Sequence, residues 1–423
     1  MSRNLSVSAD RIAADIQALA QLTEPARPYT RRAFTPVHHE GRAFLAGRFR
    51  AAGLDTCLDA SGNLTGRRPG RASGLGTIML GSHSDTVPDG GRFDGVAGVV
   101  AALEVARALR EHGVFLDHDL EVVDFLAEEV SLFGVSCIGS RGMTGRLPTE
   151  WLSREAGGMT LAEGIASAGG TPGSERRRTD VRAFLELHIE QGPVLEGENT
   201  DIGIVTAIAG ITRLEIVLEG RADHAGTTPM GGRSDALAAA ARLVLGVEAA
   251  ARALAIGVRH FTATVGEFAM EPNAANVVPS RVRLLIDARA ECRADMEAFV
   301  DAVERLVASV ARETPVQIGP PRRISDSSPV EMDPSVTRTV ERCAARLGAS
   351  YRRLASGAGH DAAFMAQIAP AGMVFIPCRQ GRSHAPDEWA ENDDITLGTA
   401  VLLEAVRELD RKLQETDHGT NSR

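Results

Sequence analysis

Residues 77–129 constrain the fold most, because they read as a strand, a loop, a helix and a second strand. Residues 77–80 form an apolar run, 95–113 are rich in small residues and end at a glycine, and 118–129 form a second apolar run. A glycine just past the last helical position is a usual helix end. Two buried strands joined by a helix predict an α/β fold with a mostly parallel sheet flanked by helices. In such a sheet, functional side chains follow the carboxyl ends of the strands.

The chain length and a change of pattern predict two domains. At 423 residues the chain exceeds one ordinary domain. Residues 211–324 read as an alternating strand, a long helix, two strands and another helix, which is typical of a small α+β domain. Buried strand and helix patterns then return. We therefore predict that 211–324 is inserted into a discontinuous catalytic domain made of 1–210 and 325–423.

Charge and lysine content exclude several functions. The net charge of −10 and the pI near 5.6 argue against a nucleic-acid or anionic-membrane partner. Lys412 is the only lysine among 46 basic residues. Because Schiff-base chemistry and Walker-type phosphate binding each require a lysine at the site, both are unexpected.

Cysteine usage and the N-terminal residues predict a cytoplasmic location. The cysteines are scattered and form no C-x-x-C pair, which fits a reducing compartment. The first residues lack the apolar core of a signal peptide. No apolar run reaches the roughly 18 residues of a membrane span.

Imidazole and carboxylate side chains recur where apolar runs end. The clusters are His83 with Asp85, Asp89 and Asp94, then Glu128 with Glu129, His188 with Glu190, and His384 with Asp387 and Glu388. One loop rich in Asp and Gly is an ordinary turn and requires no function. Four such clusters at strand ends, however, are able to meet in one crevice. Imidazole and carboxylate are ligands for Zn²⁺ or Mn²⁺, and a carboxylate can bridge two ions.

Seven motifs in order resemble a known family. They are HSDT (83–86), FDG (93–95), EE (128–129), HIEQGPVLE (188–196), HAGTTPM (224–230), SGAGHDA (356–362) and SHAPDE (383–388). These motifs resemble the metallopeptidase-like di-metal amidohydrolases of the hydantoinase/carbamoylase group. That group includes N-carbamoyl-L-amino-acid hydrolases, allantoate amidohydrolases and β-ureidopropionases. The resemblance implies a di-zinc aminopeptidase-like fold in which the inserted domain serves as dimerisation and lid domain.

The resemblance also implies roles at the metal site. One ion would be held by His83, Asp94 and His188, and the other by Asp94, Glu129 and His384. Glu128 would be the general base towards a hydroxide that bridges the ions, and Asp85 would support His83. Two divalent ions per subunit are implied, with Zn²⁺ expected first and Mn²⁺, Co²⁺ or Ni²⁺ as alternatives.

Further residues are implied at the substrate. His224 would stabilise the oxyanion in the active site of the partner subunit, so a homodimer is expected, although His224 alone reads as an ordinary surface histidine. Asn276 and Arg289 would bind the substrate carboxylate, for which the planar guanidinium is suited. The backbone amides of Gly357 and Gly359 would reach the same carboxylate, and Gln191 is a further candidate. His360-Asp361 reads equally well as support for the site or as plain structure.

The chain departs from the family pattern in two places. Val130-Ser131-Leu132-Phe133 stands where Gly-Ser-Arg-Phe is usual. Cys378 and Arg382 stand where Ser and Ile are usual. These positions border the expected pocket, so Arg382 either selects an acidic or polar substrate or faces water. Cys378 reads as a small buried thiol rather than as a nucleophile.

The expected function is hydrolysis of the ureido or amide C–N bond of an N-carbamoyl-L-amino acid. The alternatives are allantoate amidohydrolase or β-ureidopropionase activity, N-acyl-amino-acid hydrolase or dipeptidase activity, and a metal-stabilised dimeric binding protein without turnover. Glu128, which is not an expected ligand, argues against the last. Neither the G-x-S-x-G pattern of a serine hydrolase nor the G-x-G-x-x-G pattern of a nucleotide site occurs.

Overall fold

The computed structural model describes residues 5–257 and 259–420. The chain divides into two compact units. The first unit comprises the residues up to Thr206, Met332–Arg353 and the residues from His360 onward. The second unit comprises Ala207–Glu331 and Leu354–Gly359. The predicted boundaries at 210/211 and 324/325 lie close to these, whereas residues 354–359 are predicted in the catalytic domain and lie in the second unit.

Helices and strands alternate along most of the described chain. Within residues 5–257 and 259–420 the helices are α1 (Ala9–Gln21), α2 (Pro36–Ala51), α3 (Val96–Glu111), α4 (Ile138–Met143), α5 (Leu161–Ser167), α6 (Val194–Glu198), α7 (Ala236–Ala255), α8 (Arg293–Glu313), α9 (Pro334–Arg346), α10 (Ala362–Met365) and α11 (Asn392–Thr420). None of these helices, in the part of the chain described, combines the length and apolarity needed to cross a membrane. The strands of the same residues are β1 (Asp55–Leu58), β2 (Leu64–Arg68), β3 (Thr77–His83), β4 (Asp119–Phe125), β5 (Glu155–Ala156), β6 (Met159–Thr160), β7 (Val181–Ile189), β8 (Ile202–Ile208), β9 (Gly210–Glu219), β10 (Phe261–Glu271), β11 (Arg281–Ala290), β12 (Gln317–Ile318), β13 (Arg322–Asp326), β14 (Val330–Glu331), β15 (Tyr351–Ser356) and β16 (Ala371–Ile376).

The main sheet of the first unit has a parallel centre. Its strands lie in the order β1-β2-β4-β3-β7-β16-β8. The pairs β4–β3, β3–β7 and β7–β16 are parallel, whereas the pairs towards β1 and β8 are antiparallel. The predicted α/β class is therefore confirmed, with a mixed sheet around a parallel core. The carboxyl ends of the four central strands meet at one edge of this sheet.

Close packing of α3 against the sheet fixes the start of that helix. Every residue of β3 is buried, as expected for a central strand covered on both faces. The first turns of α3 are built from small residues, and a Cβ atom at Gly98 would lie 2.2 Å from the carbonyl oxygen of Leu187 in β7. Only glycine allows this approach. Because Asp94 lies just before α3, this packing also places Asp94 at the sheet edge.

The second unit has its own sheet and core. Its strands lie in the order β10-β11-β9-β12, with β13 also paired to β9, and all of these pairs are antiparallel. Residues of β9 and β11 alternate between buried and partly exposed. Their buried side chains form a core with those of α7 and α8. The chain order in this unit is β9, α7, β10, β11 and α8.

Candidate metal centre

The central strands of the first unit bring five side chains together, which we call the ligand cluster. They are His83, Asp94, Glu129, His188 and His384. His83 ends β3 and His188 lies near the end of β7, whereas Glu129 and His384 follow β4 and β16. Ligand atoms of His83, Asp94 and His188 all lie within 4.8 Å of one another, and so do those of Asp94, Glu129 and His384. The ligand cluster thus contains two groups of side chains able to hold a metal.

Asp94 belongs to both groups and faces them with different oxygens. Its Oδ1 atom lies 3.6 Å from Nε2 of His83 and 3.1 Å from Nε2 of His188. Its Oδ2 atom lies 3.1 Å from Nε2 of His384. Glu129 Oε1 lies 3.1 Å from the same nitrogen of His384. A carboxylate with one oxygen towards each group has the arrangement of a bridging ligand.

The Nδ1 contacts of two histidines are those expected of metal-binding rings. Nδ1 of His83 lies 3.0 Å from the backbone oxygen of Asp85, and Nδ1 of His188 lies 2.9 Å from that of Ile189. A carbonyl oxygen can only accept, so in each neutral ring Nδ1 carries the hydrogen and Nε2 keeps its lone pair. Both Nε2 atoms then point at carboxylate oxygens, which also donate electron pairs. A divalent ion between them satisfies both, and the donor set is one that Zn²⁺ or Mn²⁺ prefers.

Protons and a metal ion would compete for the ligand cluster. Hydrogen bonds to Asp94 and Glu129 raise the pKa of His384 to about 10. Burial opposes a charged His83, but the nearby carboxylates of Glu128, Asp85 and Asp94 raise its pKa well above the usual value. Because these protons stand where a cation would bind, metal loading must release them, and acid must weaken binding.

The backbone after β4 explains how two adjacent glutamates reach the same site. The strand ends at Phe125, and Ala127 takes a left-handed conformation with φ of 53°. The Asp85 carboxylate then accepts hydrogen bonds from the backbone N–H groups of Glu128 and Glu129, both at 3.2 Å. Its own Oδ1 lies 3.6 Å from Nδ1 of His83. Asp85 therefore contacts the first histidine and the glutamate pair together.

Glu128 lies beside the cluster but outside both groups. Its Oε2 atom is 3.6 Å from Nε2 of His83, and its Oε1 atom is 3.5 Å from the thiol of Cys137. Its side chain is only 10% exposed, and burial is the main cause that raises its pKa well above the usual value. A carboxyl group in this position is able both to take up and to give up a proton near the cluster.

Of the residues implied for substrate binding, only Gln191 lies in the first unit. Its Nε2 atom donates to Asp94 Oδ2 at 2.7 Å, so it touches the ligand cluster directly. The structure places the others in the second unit: His224, Asn276, Arg289, Gly357 and Gly359.

Within the second unit these residues form two local groups. His224 pairs with Val277 in a single β-bridge, and the backbone N–H next to it, at residue 225, donates to the Asn276 carbonyl at 2.9 Å. Arg289 donates from Nη1 to the Gly357 carbonyl at 2.8 Å and from Nε to Asp287 at 2.9 Å. These two hydrogen bonds hold the guanidinium in a fixed orientation.

One buried carboxylate near the cluster was not anticipated. Glu186 accepts hydrogen bonds from Ser82 Oγ at 2.7 Å and from the backbone N–H of Ala362 at 3.1 Å. Glu186 and His360 form a third group with His188. The ring of His360 packs edge-on against His188 with centroids 4.6 Å apart. Glu186 stands two residues before His188 in a strand, where alternation puts both on one face, and this was the available signal.

The positions that depart from the family pattern differ in environment. Arg382 pairs with Asp387 at 3.0 Å, and both side chains are more than half exposed. Val130 is 61% exposed and Leu132 is 38% exposed. Cys378 is buried, and burial raises the pKa of its thiol to about 12, which is unsuited to a nucleophile.

Comparison with known proteins identifies the family. Residues 79–408 match peptidase family M20/M25/M40. An N-carbamoyl-L-amino-acid amidohydrolase of Paenarthrobacter aurescens is 38% identical over 409 residues, which cover 95% of this chain and 98% of that protein. An allantoate amidohydrolase of Bacillus subtilis is 35% identical over 388 residues, which cover 90% of this chain and 92% of that protein. The crystal structure of an amidase of the hydantoinase/carbamoylase family from Burkholderia multivorans matches with a TM-score of 0.88 and 35% identity, over 95% of this chain and 98% of that one.

These matches confirm the resemblance stated from the motifs. They span most of this chain and nearly the whole of each relative. The relatives are amidohydrolases, so the protein is a hydrolase of carbon–nitrogen bonds in linear amides other than peptides. The chain belongs to peptidase family M20/M25/M40 and, within it, to the hydantoinase/carbamoylase amidohydrolases.

Proposed function

We propose that this amidohydrolase depends on two divalent metal ions and cleaves the ureido C–N bond of an N-carbamoyl-L-amino acid or a related ureido acid. The observation that carries the proposal is the Asp94 carboxylate, which faces two groups of possible metal ligands. Glu128 lies beside these groups and belongs to neither. The activities for which the relatives are named support a ureido substrate.

The residues divide into metal ligands and a proton carrier. His83, Asp94 and His188 would hold one ion, and Asp94, Glu129 and His384 the other. When bound, such ions acidify a water molecule and polarise the scissile carbonyl. Glu128 takes the proton of the attacking water and passes it to the leaving nitrogen. Its burial favours this role, because a raised pKa lets the same carboxyl accept and then donate.

Several residues are assigned to substrate binding. Arg289 binds the substrate carboxylate, supported by Asn276 and by the backbone amides of Gly357 and Gly359. The hydrogen bonds of Arg289 to Asp287 and Gly357 support this role, since they orient the guanidinium in advance. Gln191, at the ligand cluster, contacts the substrate near the reacting carbon.

A release assay on metal-loaded protein tests the reaction. We expect turnover of N-carbamoyl-L-amino acids to the amino acid, ammonia and carbon dioxide. A chelator should abolish it, and Zn²⁺, Mn²⁺ or Co²⁺ should restore it, because the bound ions would activate the attacking water and the scissile carbonyl. Allantoate, ureidopropionate, N-acyl-amino acids and dipeptides are tested in parallel. Full activity in chelator, with no metal found by elemental analysis, would contradict the metal dependence. Turnover of N-acyl-amino acids or dipeptides alone would contradict the ureido specificity.

We also propose a homodimer in which His224 serves the active site of the partner. A Glu128→Gln homodimer and a His224→Ala homodimer should then each be nearly inactive. In a mixed dimer one site carries both defects and the other carries neither. Random reassociation makes about half of the molecules mixed, so roughly a quarter of wild-type activity should return.

Subunit exchange is shown separately by pull-down of differently tagged chains. If His224 acted within its own chain, every site would keep one defect and mixing would restore nothing. A mixture that exchanges subunits but is no more active than its parents therefore excludes the shared site.

A further inference from the structure

A single buried carboxylate, Glu388, joins the two loops that carry Asp94 and His384. Glu388 is only 1% exposed. Oε1 accepts hydrogen bonds from the backbone N–H groups of Phe93 at 2.7 Å and Asp94 at 3.1 Å. Oε2 lies 2.7 Å from the hydroxyl of Ser383, the residue before His384. The carboxylate thus fixes the backbone of one ligand and contacts the neighbour of another.

Ser383 provides a second connection to the same ligand. Its Oγ atom lies 2.9 Å from Asp94 Oδ2 and 2.7 Å from Glu388 Oε2, so the hydroxyl stands between the two carboxylates. Asp94 is therefore held at its backbone N–H and at a carboxylate oxygen. The first contact is made by Glu388 itself, and the second links Asp94 to Glu388 through the Ser383 hydroxyl.

The loop before Asp94 leaves room for this carboxylate. A Cβ atom at Gly91 would lie 1.9 Å from Cδ of Glu388. A side chain at position 91 would therefore displace the Glu388 carboxyl group from its present position. The backbone thus passes directly over the carboxyl group.

The carboxylate of Glu388 is buried among hydrogen-bond donors and has no ion pair among the described residues. Within residues 5–257 and 259–420, no arginine or lysine forms an ion pair with Glu388. A buried carboxylate without a cationic partner costs stability.

We propose that Glu388 is a positioning residue for Asp94, and that retention of the metal ions depends on it. The inference rests on the proposed metal dependence. Glu388 binds no metal itself. It sets the orientation of the bridging carboxylate and keeps the loop of His384 next to it.

Metal affinity, measured by competition with a chromophoric chelator, tests this role. Glu388→Ala should lose roughly 10–100-fold in affinity, the usual effect of removing a partner that orients a ligand. Glu388→Gln should stay within a few-fold of wild type, because the amide oxygen can accept the same two backbone hydrogen bonds. Ser383→Ala, which removes one of the contacts, should lose about fivefold. If Glu388→Ala does not fold, the metal affinity of Ser383→Ala tests the inference in its place.

Glu190 offers a matched control. It is another buried glutamate, two residues after His188, and it accepts backbone hydrogen bonds from Val194 at 2.9 Å and Leu195 at 2.8 Å. Glu190→Ala should lower the melting temperature of the metal-free protein but leave metal affinity unchanged.

The outcomes separate the inference from the proposed function. Wild-type protein that binds no metal would overturn the proposed function. If the wild-type protein binds metal and Glu388→Ala binds it with the same affinity, only the inference is overturned. Where Glu388→Ala does not fold, an unchanged affinity in Ser383→Ala has the same meaning. An equal loss in Glu190→Ala would show general loosening instead of positioning. A loss in Glu388→Gln as large as in Glu388→Ala would show that charge, and not hydrogen-bond geometry, is what matters.

Discussion

Glu128→Gln is expected to keep both metal ions and to lose about 10²–10⁴-fold in kcat, the usual cost of removing a general base. The substitution preserves shape, and Glu128 belongs to neither group of ligands. It removes only the ability to accept a proton beside His83, from which Oε2 is 3.6 Å away. The measurement is kcat on the best ureido substrate, together with metal content by elemental analysis.

The adjacent residue provides the matched comparison. Glu129→Gln makes the same chemical change one position along, but Glu129 Oε1 lies 3.1 Å from Nε2 of His384 inside a ligand group. It should therefore lose metal as well as activity. Near-normal turnover in Glu128→Gln would remove Glu128 from the mechanism. Equal metal loss in both variants would make both residues ligands.

The ligand cluster could be predicted from the sequence because its members share one topological property. His83, His188 and the glutamate pair each stand at or just beyond the end of a buried run, and parallel strands bring such ends to one edge. The apolar runs predicted the exact ends of the strands less well. The apolar run 118–129 predicted a strand to its last residue, whereas β4 stops at Phe125. The left-handed Ala127 and the Asp85 carboxylate then turn the chain, and neither leaves a local signal.

What the sequence missed depends on contacts between distant residues. The hydrogen bond of Glu388 to the backbone of Asp94 spans 294 positions, so no window of sequence shows it. Glu186 was missed for another reason. A single acidic residue within a mostly apolar strand does not by itself indicate a functional site. Residues 354–359 join the second unit only through folding, since they follow a stretch of the first unit without any change of composition.

Arg382 shows why the substrate side chain was harder to predict than the chemistry. The sequence left open whether this arginine selects an acidic substrate or faces water. In the structure its charge is paired with Asp387 at 3.0 Å on an exposed surface. Exposed pairs of this kind are weak and break at little cost. The pair therefore favours the second reading without fixing the substrate, which is why the assay above includes several ureido acids.

Asp94→Asn should have the largest effect, because it damages both metal sites at once. The carboxylate offers Oδ1 to His83 and His188 and Oδ2 to His384. An asparagine is neutral, and its amide nitrogen cannot donate an electron pair to a cation. One of the two sites must therefore lose its shared ligand, and neither keeps the bridging charge. We expect metal content below one ion per subunit and activity near the limit of detection, measured by elemental analysis and by the release assay.

Asp89 supplies the control for this variant on the same loop. Asp89→Asn makes an identical change of charge five residues away, where the carboxylate pairs with Arg27 and is 47% exposed. Its φ of 52° is left-handed, a conformation that asparagine also tolerates well. Metal content and turnover should therefore stay at wild-type levels in Asp89→Asn. If Asp94→Asn retained two ions per subunit, Asp94 could not be the bridging ligand, and the metal roles of His83, His188 and His384 would have to be reassigned without it.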